Sequence, residues 1–245
     1  NAKQKILADN ALRILNLKDD RLPVSPRQID DQLDLPSKPI IDVHAHVSGF
    51  FLPQPIDGFE RTTVPEMSTK CNIEATIVSS YHAIDYDMGV GNAQTAGFLE
   101  RYPNLRGYVV CDARDIPASV SQMEQYFADP RFVGVKLYCP FGEPMSDLGM
   151  QELLDEVNRF GRPVKIHMDA APYAGLRKAA KRLPNLIFIK AHGDDQEGAR
   201  RVADLPNVYF EFCSSGLTAG RIRRSTDVLG PERILFGTDQ QIFAP

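Results

Sequence analysis

Asp42-Val43-His44-Ala45-His46 closes an apolar run near the start of the chain. Positions two apart in a strand share a face, so His44 and His46 can turn two imidazoles to one side. Such a pair is a natural start for a metal site, although two surface histidines would read the same way in isolation. The context narrows the choice. Of the five histidines, four lie at the ends of apolar runs. His167 closes Val164-Lys165-Ile166-His167, and His192 closes Ile189-Lys190-Ala191-His192. Asp239 closes Leu235-Phe236-Gly237-Thr238-Asp239. Imidazoles plus a carboxylate suit Zn²⁺, Fe²⁺ or Mn²⁺. Three or four such groups with an open position make a catalytic site rather than a structural one.

These residues need a scaffold that gathers strand ends. Eight short apolar runs recur, starting at Pro39, Ala75, Leu105, Phe132, Pro163, Leu186, Val208 and Ile234. Between them fall segments of helical spacing, at 93–101, 119–127, 148–160, 173–183 and 197–205. Three of these end at Pro103-Asn104, Pro184-Asn185 and Pro206-Asn207, where proline stops the helix and the chain turns into the next strand. Alternating β and α segments predict parallel strands with crossover helices. Strands apolar throughout predict burial on both faces. The fold class expected is an α/β (β/α)8 TIM barrel, whose active sites form at the C-terminal ends of the strands. An open doubly wound sheet is the competing architecture.

No residues suited to an eighth helix follow the last strand. The N-terminal segment Lys3 to Leu17 is instead amphipathic, with Leu7, Ala11, Ile14 and Leu15 as its stripe. The division expected is an N-terminal helix over 1–17, a linker over 18–38 and the barrel over 39–245. The helix is expected to pack on the barrel in the eighth-helix position, as a permuted last helix, rather than beneath it.

Composition excludes several classes. The chain has 245 residues, 43% of them hydrophobic and 24% charged, with a net charge of −4. That is globular usage, neither disordered nor collagen-like. The acidic balance lacks the basic stripe of a nucleic-acid binder, and Arg221-Ile222-Arg223-Arg224 reads as a solvated helix face. No apolar run approaches the length of a membrane span. The four cysteines, Cys71, Cys111, Cys139 and Cys213, fit no metal-finger spacing. They read as buried free thiols in a reducing, cytoplasmic compartment. A small-molecule substrate is the expected partner. A homo-oligomer is compatible with such a barrel, with no interface legible.

The His44-Ala45-His46 motif, His167, His192 and Phe236-Gly237-Thr238-Asp239 together resemble the amidohydrolase superfamily. The resemblance is to its amidohydrolase-2 branch, the metal-dependent hydrolases and decarboxylases related to aminocarboxymuconate semialdehyde decarboxylase. It spans roughly residues 39 to 245, and Ile6 to Leu15 is similar to the family's last helix. The resemblance implies that His44, His46, His167 and Asp239 bind a divalent metal, with Zn²⁺ the first choice. It implies that His192 binds a second metal, or orients water or substrate. It also puts Lys136 beside the metal, where some members carry a carboxylated lysine that bridges two ions. One ion is expected, and two if Lys136 is carboxylated.

On that footing Asp239 and His192 are the expected catalytic residues. Asp239 would shuttle the proton of a metal-activated water, and His192 would hold the oxyanion or the water. Asp42 is expected to support the site rather than ligate. Phe50, Phe51, Tyr81, His82, Tyr138, Phe141, Asp169 and Tyr173 follow strand ends and should ring the mouth, suiting a ring-bearing substrate. Arg114 is the one clear arginine for a substrate carboxylate. The expected reaction is hydrolysis of an amide, lactone or ester carbonyl. The alternative is non-oxidative decarboxylation of an aromatic or unsaturated acid. A binding protein with a vestigial site is the reading from another class.

Overall fold

The computed structural model describes residues 2–17, 40–48, 64, 68, 71–139, 145, 147–168, 173–213 and 218–240. Its eight strands are β1 (Ile40–Val47), β2 (Ile73–Ser80), β3 (Leu105–Val110), β4 (Phe132–Tyr138), β5 (Val164–His167), β6 (Phe188–Lys190), β7 (Val208–Phe212) and β8 (Ile234–Phe236). They lie side by side in sequence order and are all parallel. The ring closes through backbone beyond β8. Asp239 N donates to His44 O at 2.7 Å, and His46 N donates to Gln240 O at 2.6 Å. The segments carrying the first histidine pair and the last aspartate are thus stitched together. This is the (β/α)8 barrel that the alternation predicts.

Helices join the strands, and aspartates start most of them. After β2 come α2 (Tyr81–Asp85) and α3 (Met88–Arg101), and after β3 comes α4 (Ile116–Tyr126). Then follow α5 (Leu148–Arg159), α6 (Tyr173–Arg182), α7 (Gln196–Arg201) and α8 (Arg221–Leu229). Asp87, Asp115, Asp147 and Asp195 cap α3, α4, α5 and α7 by accepting first-turn N–H groups. Asn207 explains one of the Pro-Asn pairs. Its Nδ2 donates to the carbonyls of Ala180, Leu183 and Leu186 at 3.0–3.1 Å, satisfying the end of α6. Among the described residues no helix is long and apolar enough to cross a membrane.

The N-terminal helix α1 runs over 2–14 and contains a π-helical stretch, Lys5–Asp9. It packs on β1 and β8, the place of an eighth helix. Ala8, Ala11, Ile14 and Leu15 are buried with Ile41 and Val43 of β1, Tyr209 of β7 and Leu235 of β8. Leu7, expected in the stripe, is only half-buried, and Ala8 takes its place. A π turn spans an extra residue and shifts the facing positions by one. Asn10 fixes the docking, its Nδ2 donating to Ile234 O at 2.7 Å and Pro231 O at 2.8 Å. Asn10→Ala strands both acceptors and is expected to cost about 1–3 kcal/mol. Chemical denaturation measures it, and an unchanged midpoint would contradict the docking.

A kink in β1 shapes the barrel interior. The β1–β2 register shifts between Asp42 and Ala45, a bulge in β1. The Val43 carbonyl accepts instead from Lys165 Nζ at 2.9 Å and Tyr108 Oη at 3.2 Å. Lys136, Lys165 and Glu211 are fully buried, with 0% exposure. Asp42 is buried as fully. Within this group Lys165 Nζ pairs with Glu211 Oε2 at 3.2 Å, while Lys136 Nζ lies 3.5 Å from His44 Nε2.

Candidate metal centre

Asp239 Oδ1 lies 3.4 Å from His44 Nε2 and 3.3 Å from His46 Nε2. These three side chains are buried, and their donor atoms lie within 4.8 Å of one another. His192 adjoins them, with Nδ1 at 3.9 Å from Asp239 Oδ2. His167 reaches the group through His192, its Nδ1 being 3.1 Å from His192 Nε2. All five residues named from the sequence therefore meet at one mouth. Among the described residues, two sets of donors gather within 4.8 Å, His44 with His46 and Asp239, and His44 with His192 and Cys213. His167 adjoins them through His192.

The backbone bends to deliver two of these groups. His192 and Asp239 adopt left-handed conformations, with φ of 61° and 58°. Non-glycine residues seldom hold this conformation, and it clusters at functional sites. Asp42 secures the other side. Its Oδ1 accepts from His44 N at 2.9 Å and from Thr238 N at 3.0 Å, and its Oδ2 accepts from Thr238 Oγ1 at 2.6 Å. It therefore ties β1 to the Asp239 segment, the supporting role expected of it. Burial pushes its carboxyl up to about 7 against those hydrogen bonds and Lys165.

Glu211 is the residue that the sequence reading missed. Its Oε2 sits 2.8 Å from His44 Nδ1, 3.2 Å from Lys165 Nζ and 3.3 Å from His192 N. A carboxylate at Nδ1 holds the proton there and turns the Nε2 lone pair towards Asp239. Gly237 makes room for this contact, since a Cβ there would lie 2.2 Å from Glu211 Oε1 and 2.7 Å from His44 Cβ. On the opposite side, Ser79 Oγ is 3.3 Å from His46 Nδ1.

Electrostatics prepares the donors. Burial drives His44 and His46 below the usual imidazole range, and Lys165 and Lys136 add to it. Burial also takes His192 down to about 4 against the pull of Glu211 and Asp239. Neutral imidazoles with free lone pairs are what a cation requires. Burial opposes ionisation of Asp239, yet the imidazoles of His44, His46 and His192 hold it below the usual carboxylate range. Burial and the charge of Lys165 bring Lys136 down to about 7, and its Nζ is 3.5 Å from His44 Nε2.

The aromatic residues divide. Tyr81 stacks on His46 with ring centroids 4.0 Å apart, and Tyr138 stands edge-on to His167 at 4.6 Å. Tyr173 does not serve the mouth in this way. Its hydroxyl donates to Asp194 Oδ2 at 2.5 Å, and its ring joins the buried core behind the strands. His82 packs beside Tyr86. The Arg114 guanidinium is gripped by Asp112, with Nη2–Oδ2 at 2.6 Å, so its expected role towards substrate has a competitor. Phe50, Phe51, Phe141 and Asp169 lie outside the described residues.

Fold and site together define a parallel barrel with a cup of histidines and carboxylate at the C-terminal ends of its strands. The amidohydrolase sequence profile, Amidohydro_2, matches residues 41–243, and the chain belongs to that family. No curated protein matches the chain in sequence. Solved structures share its fold. A 2,6-dihydroxybenzoate decarboxylase complexed with 2,6-dihydroxybenzoate is 14% identical, with a TM-score of 0.61 over 84% of this chain and 88% of that one. A dihydroxybenzoic acid decarboxylase from Polaromonas, with bound manganese and the inhibitor 2-nitroresorcinol, is 14% identical, with a TM-score of 0.60 over 82% and 86%. A probable 2-pyrone-4,6-dicarboxylic acid hydrolase from Acinetobacter baumannii, with citric acid bound, is 17% identical, with a TM-score of 0.56 over 82% and 84%.

Proposed function

We propose that this chain is a metal-dependent hydrolase that directs water at an amide, lactone or ester carbonyl of a small, ring-bearing substrate. The observation that carries the reading is the placement of the Asp239 carboxylate within 3.4 Å of both His44 Nε2 and His46 Nε2. The donor set fits a divalent cation: buried neutral imidazoles, one carboxylate, and a partner for His44 Nδ1 in Glu211. His44, His46, His167 and Asp239 would hold it, and the imidazole–carboxylate chemistry suits Zn²⁺. When bound, the cation supplies Lewis acidity, which polarises a carbonyl and makes water a nucleophile near neutral pH.

The side chains do the rest. Asp239, ionised at neutral pH, takes the proton of the attacking water on a carboxylate oxygen and passes it to the leaving group. His192 carries one ring proton and offers that N–H to the oxyanion that develops at the carbonyl. Tyr81 and Tyr138, stacked on and edge-on to His46 and His167, form walls that suit a planar ring. Lys136 with a lowered pKa has a neutral fraction at pH 7, the form that takes up CO₂, so a carbamate and a second ion are the variant of this reading.

The second reading is non-oxidative decarboxylation on the same cup. Lys136 beside His44 favours it, because the fraction that remains an ammonium at neutral pH would attract a carboxylate substrate. The structural likeness to two dihydroxybenzoate decarboxylases points the same way. Product analysis separates the two. Metal-loaded protein is offered lactones, amides, esters and aromatic acids in heavy-oxygen water. Hydrolysis puts heavy oxygen into the product acid. Decarboxylation releases CO₂ and takes a proton from solvent onto carbon, with no oxygen incorporated. Absence of both products across the panel would overturn the enzyme reading.

A further inference from the structure

His192 and Gly193 leave β6 in left-handed conformations, with φ of 61° and 49°. Two such residues in succession persist only where the surroundings over-determine them. The turn is in fact held at each residue. His192 N donates to Glu211 Oε2 at 3.3 Å, and Lys190 Nζ donates to Gly193 O at 2.6 Å. The Asp194 carbonyl accepts from Ser225 Oγ of α8 at 2.7 Å, and Asp194 Oδ2 accepts from Tyr173 Oη of α6 at 2.5 Å.

Asp194 is thus the point where two helices grip the turn. Both donors are buried, Tyr173 at 4% and Ser225 at 0% exposure. Burial and the Asp194 carboxylate hold the Tyr173 proton well above the ordinary phenol range, so the hydroxyl stays a donor. Asp194 Oδ1 accepts from Asp195 N at 2.8 Å, which fixes the carboxylate plane from within the turn. The backbone of α7 closes in behind: a Cβ on Gly198 would lie 2.4 Å from Asp194 Cγ and 2.5 Å from Tyr173 Oη. Two residues before Asp194, the His192 ring stands between His167 and Cys213, with Nε2 3.1 Å from His167 Nδ1 and Nδ1 3.0 Å from Cys213 Sγ.

We propose that Asp194 is a positioning residue: gripped by Tyr173 and Ser225, it sets the direction in which the His192 imidazole meets His167. The placement stands apart from the reaction, and its effect on turnover rests on the hydrolase reading given above. A ring misplaced by about 1 Å can cost up to roughly 100-fold in rate. Loss of the grip should therefore lower kcat and leave KM nearly unchanged.

The test follows the ring nitrogens of His192 by nitrogen-15 NMR at one fixed pH, in the whole chain supplied with Zn²⁺, with the signals assigned by their loss in His192→Gln. Tyr173→Phe removes one hydroxyl and should shift them, and Asp194→Ala should shift them further. Asp194→Asn keeps an oxygen for the Tyr173 hydroxyl and should lie nearer the parent protein. Gly198→Ala deletes no polar group, yet its Cβ displaces the pair and should move the same signals. Asn10→Ala, which loosens α1 instead, should lower the melting temperature and leave them in place. On any substrate turned over, Tyr173→Phe should lower kcat about ten-fold with KM within about two-fold. Parent signals in both Tyr173→Phe and Gly198→Ala, with lowered melting temperatures, would reduce the grip to a stabilising contact and overturn the proposal. Should no substrate be turned over, the hydrolase reading falls and the His192 signals still decide the placement.

Discussion

Asp239→Asn is expected to lower turnover by about 10,000-fold, the upper end of what a positioned acid–base group contributes. Asparagine is the informative replacement. It keeps the shape and tolerates the left-handed backbone at φ of 58°, where a bulkier residue would strain. The backbone bond from Asp239 N to His44 O, 2.7 Å long, does not depend on the side chain. The barrel therefore stays closed and the melting temperature should hold. The loss is chemical: the carboxylate that approaches both His44 and His46 becomes a neutral amide. It can no longer take a proton from water or offset the charge of a cation. Steady-state kinetics and elemental analysis read the two effects together. Turnover within ten-fold of the parent protein would remove Asp239 from the mechanism, whatever the metal content.

The legible part of this molecule was its periodicity. Eight apolar runs and their crossovers predict eight parallel strands, because strands buried on both faces must be apolar and parallel strands need long connections. The histidines were legible because each one ends such a run, and the fold gathers run ends into one place. Glu211 and Lys165 were not. A single charge inside Val208-Tyr209-Phe210-Glu211-Phe212 or Val164-Lys165-Ile166 looks like one exposed position of a strand. Only the barrel brings these two strands close enough for the charges to pair at 3.2 Å. Cys213 was legible as a buried thiol, but its neighbour was not, because only the turn at His192 and Gly193 sets an imidazole against it at 3.0 Å. The bulge in β1 and the π turn in α1 are single-residue shifts, which no pattern of period 2 or 3.6 reveals. Tyr173 hydrogen-bonds Asp194, two residues beyond His192, a pairing between distant segments that the sequence does not display.

Glu211→Leu is expected to be the most destabilising single change in the barrel interior, by about 3–5 kcal/mol. The Lys165 ammonium would remain fully buried with the Val43 carbonyl, and its carboxylate partner would be gone. His44 Nδ1 and His192 N would lose acceptors in the same step. Burial by itself opposes ionisation of Glu211, but Lys165 and His192 hold the carboxyl below its usual range, so the charge is present at neutral pH. For a chain of this length the melting temperature should fall by on the order of 10 °C. Two companions separate charge from shape. Glu211→Gln keeps the volume and an acceptor for Nδ1–H, so it should lose less stability. It should still weaken cation binding by roughly 10–100-fold, because an amide orients and polarises His44 less firmly than a carboxylate. Glu211→Leu combined with Lys165→Met removes both charges and should recover most of the lost stability, since apolar replacements of a buried ion pair are tolerated. A double variant no more stable than Glu211→Leu alone would show that the carboxylate acts through His44 and His192, and that its pairing with Lys165 contributes little.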